Sequence, residues 1–319
     1  MTAPAPLRFG LAGTGHWARI THAPALASTD GIEFAAVWGR NREAAADLAA
    51  QYRVAAHDDI SAFLSGIDAV AFAVPPDVQA AIAVRAARAG KHLLLEKPIA
   101  ASEASASALA DAVGQAGVAS VVFFTYRFAP DVRAWLASVG DQRGWAGGVS
   151  VWLGSALQAS SPFNTPWRND KGALWDLAPH VISLLWPAIG PVTSVTADAG
   201  PADVTHLVLH HEGGASSTAT VTLSAPETLT GMDLYVWGAS GRSVAPTRTA
   251  EPVAQMRTAL TELAENARSG RTDHPCDVRF GHAVGRVVAE AERQIGARSG
   301  TAAQAGWRPA RSRGRRRCR

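Results

Sequence analysis

The chain has 319 residues, 47% of them hydrophobic and 18% charged, a balance that excludes a disordered or collagen-like polypeptide and a length that leads us to expect two domains. No apolar run reaches the roughly 20 residues of a membrane helix, and the opening Met1-Thr2-Ala3-Pro4-Ala5-Pro6 lacks the charged and apolar regions of an export signal, so a cytoplasmic protein is expected, with no membrane partner. The formal charge of +3 does not argue for a nucleic-acid partner, because residues 306–319 alone hold seven arginines and no acid, which leaves −4 on the remainder; such a run is expected to be a disordered tail, and Cys276 and Cys318 are too unlike in setting to form a disulfide framework.

In chain order, an apolar strand is expected at Leu7–Ala12, running into Gly13-Thr14-Gly15-His16-Trp17-Ala18 and a helix from Trp17 to Ala27. This is the G-x-G-x-x-A turn: Gly13 permits the tight turn, Gly15 lets the backbone approach a pyrophosphate, and Ala18 lets helix and strand pack closely. A second strand at Glu33–Trp38 completes a βαβ spacing, which raises the motif above a bare glycine match. A helix at Glu43–Arg53, a helical turn at Ile60–Leu64 and a strand at Ala69–Val74, stopped by Pro75-Pro76, follow. Then come a helix at Val78–Ala89, a strand at His92–Glu96, a helix at Ser102–Gln115 and a strand at Ser120–Phe124. Uninterrupted apolar runs of this kind suit parallel strands covered on both faces, so residues 1–125 are expected to form a doubly wound α/β domain.

Beyond Tyr126 the pattern changes. A helix at Pro130–Val139 precedes strands at Gly148–Leu153, Val192–Ala197, Thr205–His211, Ser216–Leu223 and Met232–Gly238, with Glu212-Gly213-Gly214 as a hairpin turn. One helical segment, Lys171–Trp186, interrupts the series, and helices at Ala254–Arg268 and Val278–Ile295 close it. Residues 126–305 therefore read as an α+β domain on a largely antiparallel sheet.

Two groups of residues carry chemistry. Lys97, in Glu96-Lys97-Pro98, is held extended by the following proline at the carboxyl end of a strand, where open α/β sheets bind ligands. Asp176 and His180 are four apart, so on a helix they share one face, provided Pro179 falls in a first turn. Imidazole titrates near neutral pH and suits proton transfer, while a lysine cation suits charge on an oxygen; either Lys97 or His180 can serve as the proton carrier. Trp152, Trp167, Trp175 and Trp186 are read as core or interface residues.

Taken together, Gly13-Thr14-Gly15-His16-Trp17-Ala18, Gly90-Lys91-His92 running into Glu96-Lys97-Pro98, Tyr126-Arg127-Phe128-Ala129-Pro130, and Trp167-Arg168 ahead of Gly172-Ala173-Leu174-Trp175-Asp176-Leu177-Ala178-Pro179-His180 resemble the glucose-fructose oxidoreductase, inositol dehydrogenase and MocA family. The resemblance implies a Rossmann domain followed by an α+β domain whose open sheet often serves dimer or tetramer contacts, hence a homo-oligomer. It also implies that Lys97, Asp176 and His180 act at the carbon of a small polar substrate, that Arg168 lies near cofactor or substrate, and that Tyr126 lines the pocket. The nicotinamide carries the redox chemistry, and no metal is required.

The dinucleotide is expected to touch Gly13, Thr14, Gly15, His16, Trp17, Gly39, Arg40, Asn41, Val74, Pro75, Glu96 and Lys97. After the second strand, where NAD enzymes place an acid on the ribose, the chain reads Gly39-Arg40-Asn41; Gly39 leaves room for a 2′-phosphate and Arg40 can pair with it, which favours NADP, with NAD possible. The chain departs from the family after Pro75-Pro76, where relatives often carry a histidine and Gln79 stands instead. An oxidoreductase acting on a sugar or cyclitol is thus the leading reading. The alternatives are a redox-assisted glycoside hydrolase that returns its dinucleotide unchanged and a non-catalytic dinucleotide sensor.

Overall fold

The computed structural model describes residues 5–142, 144–246 and 251–304; the Arg-rich tail expected at 306–319, with Cys318, lies outside them. The apolar runs of the first third become six parallel strands, β1 (Leu7–Ala12), β2 (Ile32–Trp38), β3 (Ala55–His57), β4 (Ala69–Phe72), β5 (His92–Glu96) and β6 (Ser120–Phe123), ordered β3-β2-β1-β4-β5-β6. Helices α1 (Ala23–Ser28), α2 (Arg42–Tyr52), α3 (Ile60–Ser65), α4 (Pro76–Arg88) and α5 (Glu103–Ala116) alternate with them. β1 pairs with β2 on one side and β4 on the other. Strand order reverses there, and the crevice outside those carboxyl ends is where such sheets take ligands. Leu93, Leu94 and Leu95 of β5 are fully buried, each stabilising the sheet by about 1.5–3 kcal/mol relative to exposure. Asn41 and Asp59 cap α2 and α3 by accepting from backbone amides three residues on.

The second sheet contains β7 (Trp145–Leu153), β8 (Val192–Ala199), β9 (Thr205–His211), β10 (Ser216–Thr222), β11 (Gly231–Gly238) and β12 (Gly241–Val244), ordered β12-β11-β7-β10-β9-β8. All its pairs are antiparallel except β7 with β10. Along β9, Thr205, Leu207, Leu209 and His211 are buried while His206 and His210 are exposed, the period-two alternation of a sheet with one covered face. Helix α6 (Pro130–Asp141) leads into this sheet, and α7 (Pro166–Asp176) and α8 (Ala178–Ile189) lie between β7 and β8 in the chain. The last helices return across the molecule: α9 (Pro252–Ser269) packs on α1, β5 and β6, and α10 (Val278–Gln304) packs on α5 and β8.

The structure departs from the sequence expectations at several points. Strands β3 and β12 carry no readable apolar pattern, two of the three β3 residues being exposed. The strand expected at Ala69–Val74 ends at Phe72, and the helix expected from Trp17 has a π-helical turn at Ala18–His22 ahead of α1. The single helix expected at Lys171–Trp186 is two, because the chain turns at Leu177 and Gly172 adopts φ 60° and ψ −163° within α7. Pro179 accordingly falls in the first turn of α8, where its missing N–H costs no helical bond. Among the described residues no helix is long and apolar enough to cross a membrane, and no cluster of histidine, cysteine or acid side chains could hold a metal ion.

Candidate functional site

The glycine turn lies at the mouth of the β1/β4 crevice. Gly13 takes φ +134°, and a Cβ there would strike the Ala73 carbonyl oxygen at 2.3 Å, so only glycine fits; its N–H is tied to Trp38 O at 2.9 Å. Gly15 is the opposite case: it is exposed, and a Cβ there would meet nothing within 4 Å. The open side of the turn, with the first amides of the following helix, is a cradle for a pyrophosphate. Gly39 lies across from Thr14, whose Cγ2 would be 2.8 Å from a Cβ, and Arg40 beside it is exposed. Asn41 is occupied as the α2 cap. Val74 and Pro75 are half-buried at the entry to α4. These residues fit a dinucleotide laid across the carboxyl ends of the strands.

Lys97 follows β5, and the Lys97–Pro98 peptide bond is cis, a choice that sequence alone does not make. Its ammonium donates to Asp176 Oδ1 at 2.6 Å and to the Asp176 carbonyl at 2.8 Å. Arg168 Nε donates to Asp176 Oδ2 at 2.9 Å. Burial alone would raise the Asp176 carboxyl, but the Lys97 and Arg168 cations and their hydrogen bonds overcome it and hold the group well below the usual carboxylate range. Asp176 is therefore a carboxylate at any working pH, and its two oxygens hold the Lys97 and Arg168 side chains in place.

His180, one helical turn beyond Asp176 and across the break at Leu177, is buried in the first turn of α8. Its ring lies 5.3 Å from that of Trp152 and 6.3 Å from that of Tyr126, which meet each other edge-on at 5.1 Å. The structure thus gathers Lys97, Asp176 and Arg168 into one ionic cluster and His180, Tyr126 and Trp152 into an adjoining aromatic one.

Several contacts were not legible from sequence. Glu96 Oε1 accepts from Trp17 Nε1 at 2.6 Å and lies 2.9 Å from His22 Nε2, so the glycine-turn helix is stitched to the lysine loop. Phe163, before α7, stands edge-on to His16 and Trp17 at 5.2 and 6.0 Å, and the Arg168 guanidinium lies over its ring. Gln79, noted only as a departure from the family pattern, is fully buried against the lysine loop. No local signal marks His22 or Phe163, because their partners are distant in the chain. A cavity of about 280 Å³ between Pro76, Pro98, Trp167 and Lys171 abuts the same loop.

Residues 7–124 match a family described as oxidoreductase, NAD-binding Rossmann fold, and residues 142–244 match the GFO/IDH/MocA C-terminal domain. A levoglucosan dehydrogenase from Pseudarthrobacter phenanthrenivorans is 37% identical over 139 residues, 41% of this chain and 35% of its own length; the chain spans about a third of such curated relatives. The structure of UDP-N-acetylglucosamine 3-dehydrogenase from Acidithiobacillus ferrooxidans superposes with a TM-score of 0.76 at 20% identity, covering 92% of this chain and 99% of that one. A levoglucosan dehydrogenase in complex with NADH and levoglucosan superposes with a TM-score of 0.76 at 20% identity, covering 91% and 98%. With both halves matched in order, and with the glycine turn and the lysine loop facing one crevice, the chain belongs to the Gfo/Idh/MocA family of oxidoreductases.

Proposed function

We propose that this chain is an NAD(P)-dependent oxidoreductase that moves a hydride between the nicotinamide and a hydroxyl or carbonyl carbon of a sugar, cyclitol or similar small polar substrate. The observation that carries the reading is the buried Lys97–Asp176 pair at the carboxyl end of β5, one helix break from His180. Two of the three Lys97 ammonium protons go to Asp176 among the described residues, and the third is offered to the substrate oxygen. The Lys97 ammonium, held by Asp176, stabilises the charge that develops on that oxygen. His180 takes the hydroxyl proton during oxidation and returns it during reduction. Tyr126 and Trp152 supply flat apolar walls of the kind that sugar rings stack against, and Arg168 fixes Asp176 from the far side. The bound nicotinamide supplies the hydride acceptor or donor. Thr14, Gly15, His16, Val74 and Pro75 border its path, whereas Glu96 acts through Trp17 and His22.

Arg40, exposed beside a position that has no acid, supports a preference for NADP. The levoglucosan dehydrogenase structure holds NADH, which keeps NAD within reach. We place residues 1–125 as the dinucleotide unit and 126–305 as the substrate unit of a cytoplasmic homo-oligomer. Its contact surface would be the open face of the second sheet, where Trp237 and Val244 are exposed.

The test is a panel of sugars and cyclitols with each dinucleotide, following nicotinamide absorbance. Lys97→Met and His180→Asn should each lower kcat about 10²–10⁴-fold while dinucleotide affinity, read by fluorescence, stays within about twofold. Oxidation by the parent should rise with pH, as a general base requires, and that dependence should disappear in His180→Asn. Glycoside cleavage without net absorbance change would replace this reading with the hydrolase; full turnover in both variants would remove it altogether.

A further inference from the structure

Gln79 enters α4 one turn after Pro75 and is fully buried. Its side-chain amide is spent entirely on the segment that carries Lys97. Oε1 accepts from the Glu96 N–H at 2.8 Å. Nε2 donates to the carbonyls of Glu96 at 2.8 Å and of Pro98 and Ile99 at 3.2 Å each; with only two N–H groups for three acceptors, one of them is shared. The partners fix the amide orientation, since only the oxygen can accept from a backbone N–H and only the nitrogen can donate to carbonyls. On the other side of the segment, Trp17 and His22 hold the Glu96 carboxylate. Lys97 thus projects from a short loop anchored immediately before and after it.

We propose that Gln79 is a positioning residue whose buried amide fixes the Glu96–Ile99 loop so that the Lys97 ammonium is delivered to Asp176 and, on the reading that Lys97 acts at the substrate oxygen, to the reacting group. The requirement is for an acceptor and a donor in one side chain. Histidine keeps one of each, ionised glutamate keeps only acceptors, and leucine keeps neither.

The lysines of the chain are Lys91, Lys97 and Lys171, so competitive labelling of the full chain with acetic anhydride, read peptide by peptide in a mass spectrometer, reports Lys97 against two internal standards and needs neither substrate nor cofactor. Parent Lys97, buried on Asp176, should label slowly. Relative to Lys91, labelling of Lys97 should rise about threefold in Gln79→His, which loses one N–H donor, and about tenfold or more in Gln79→Glu, which loses both. Gln79→Leu strands four buried polar groups and is the variant that can fail to fold, so the histidine and glutamate variants carry the test. In those two, kcat should fall in the same order as labelling rises, with dinucleotide affinity within about twofold of the parent. Lys97 labelling unchanged in both, or rising in step with Lys91 and Lys171, overturns the proposal. Full turnover in Lys97→Met would instead overturn the catalytic reading while leaving the labelling result to stand on its own.

Discussion

Replacing Asp176 by asparagine isolates the ionic cluster at the centre of the site. The carboxylate is 7% exposed and receives Lys97 at 2.6 Å on one oxygen and Arg168 at 2.9 Å on the other. Asparagine keeps one acceptor and turns an N–H₂ group toward the other cation, leaving two buried positive charges without a counterion. Breaking a buried pair by removing one partner costs about 3–5 kcal/mol, which for a chain of this size lowers Tm by about 4–8 °C. The sign of the pH dependence follows from the depressed folded-state value: the contribution is complete above the unfolded aspartate value of about 3.9 and is lost as pH falls from there toward the folded value. Urea unfolding of parent and variant should therefore show a stability gap that is flat from about pH 5 to 8 and narrows below about pH 4. The exposed Asp170→Asn on the same helix is the control, expected within about 0.5 kcal/mol of the parent. A gap under about 1 kcal/mol, or one that persists unchanged below pH 4, would refute the account of Asp176 as the group that holds two cations in place.

Other outcomes follow from the same structure. Arg40→Ala should weaken NADP binding about tenfold or more while changing NAD binding less than about twofold, measured by fluorescence titration; equal loss for both would remove Arg40 from the 2′-phosphate. Burial pushes the Cys276 thiol up to about 11, so Ellman's reagent should react with it far more slowly in the native chain than in urea, and rapid native labelling at that residue would contradict its burial. Although burial alone would raise it, Glu262 is held at about 2 by hydrogen bonds from Arg133 and His274 and by their charges. Its contribution, on the order of 2–3 kcal/mol at neutral pH, should be full above about pH 4.5 and fade toward pH 2, so Glu262→Gln and the parent should converge in acid unfolding.

The sequence made the architecture legible wherever one element announces itself locally. The apolar run Leu93-Leu94-Leu95, the alternation along Thr205–His211 and the double glycine at Gly213-Gly214 each specify a strand or a turn through neighbours in the chain, and each is found. Elements that failed lacked such a signal: β3 is two alanines and a histidine, held only by pairing with β2, and the break at Leu177 hides inside a run that reads as one helix. The site follows the same rule at longer range. Lys97, Asp176 and His180 stand out in the sequence because each lies in a motif with its own local logic, but how they pair does not. Helical spacing put Asp176 with His180, whereas the break at Leu177 and the reach of Lys97 across 79 residues give the carboxylate to the lysine and to Arg168.

The residues that hold the lysine loop were illegible for a related reason. Gln79 and His22 meet Glu96 across 17 and 74 residues, and a glutamine four residues into a helix or a histidine in an alanine-rich turn carries no mark of what it will face after folding. Their role follows from satisfaction of buried polar groups. A loop that turns beneath a sheet exposes backbone N–H and C=O groups to a dry interior, where each unmatched group costs about 1–3 kcal/mol. Some side chain must supply donors and an acceptor together, and glutamine, with two N–H groups and a carbonyl oxygen on one planar amide, does so without carrying charge into the interior. On the proposed function, the Glu96-Lys97-Pro98 motif supplies the residue that meets the substrate, while the placement of that residue depends on a polar side chain that only the folded backbone selects.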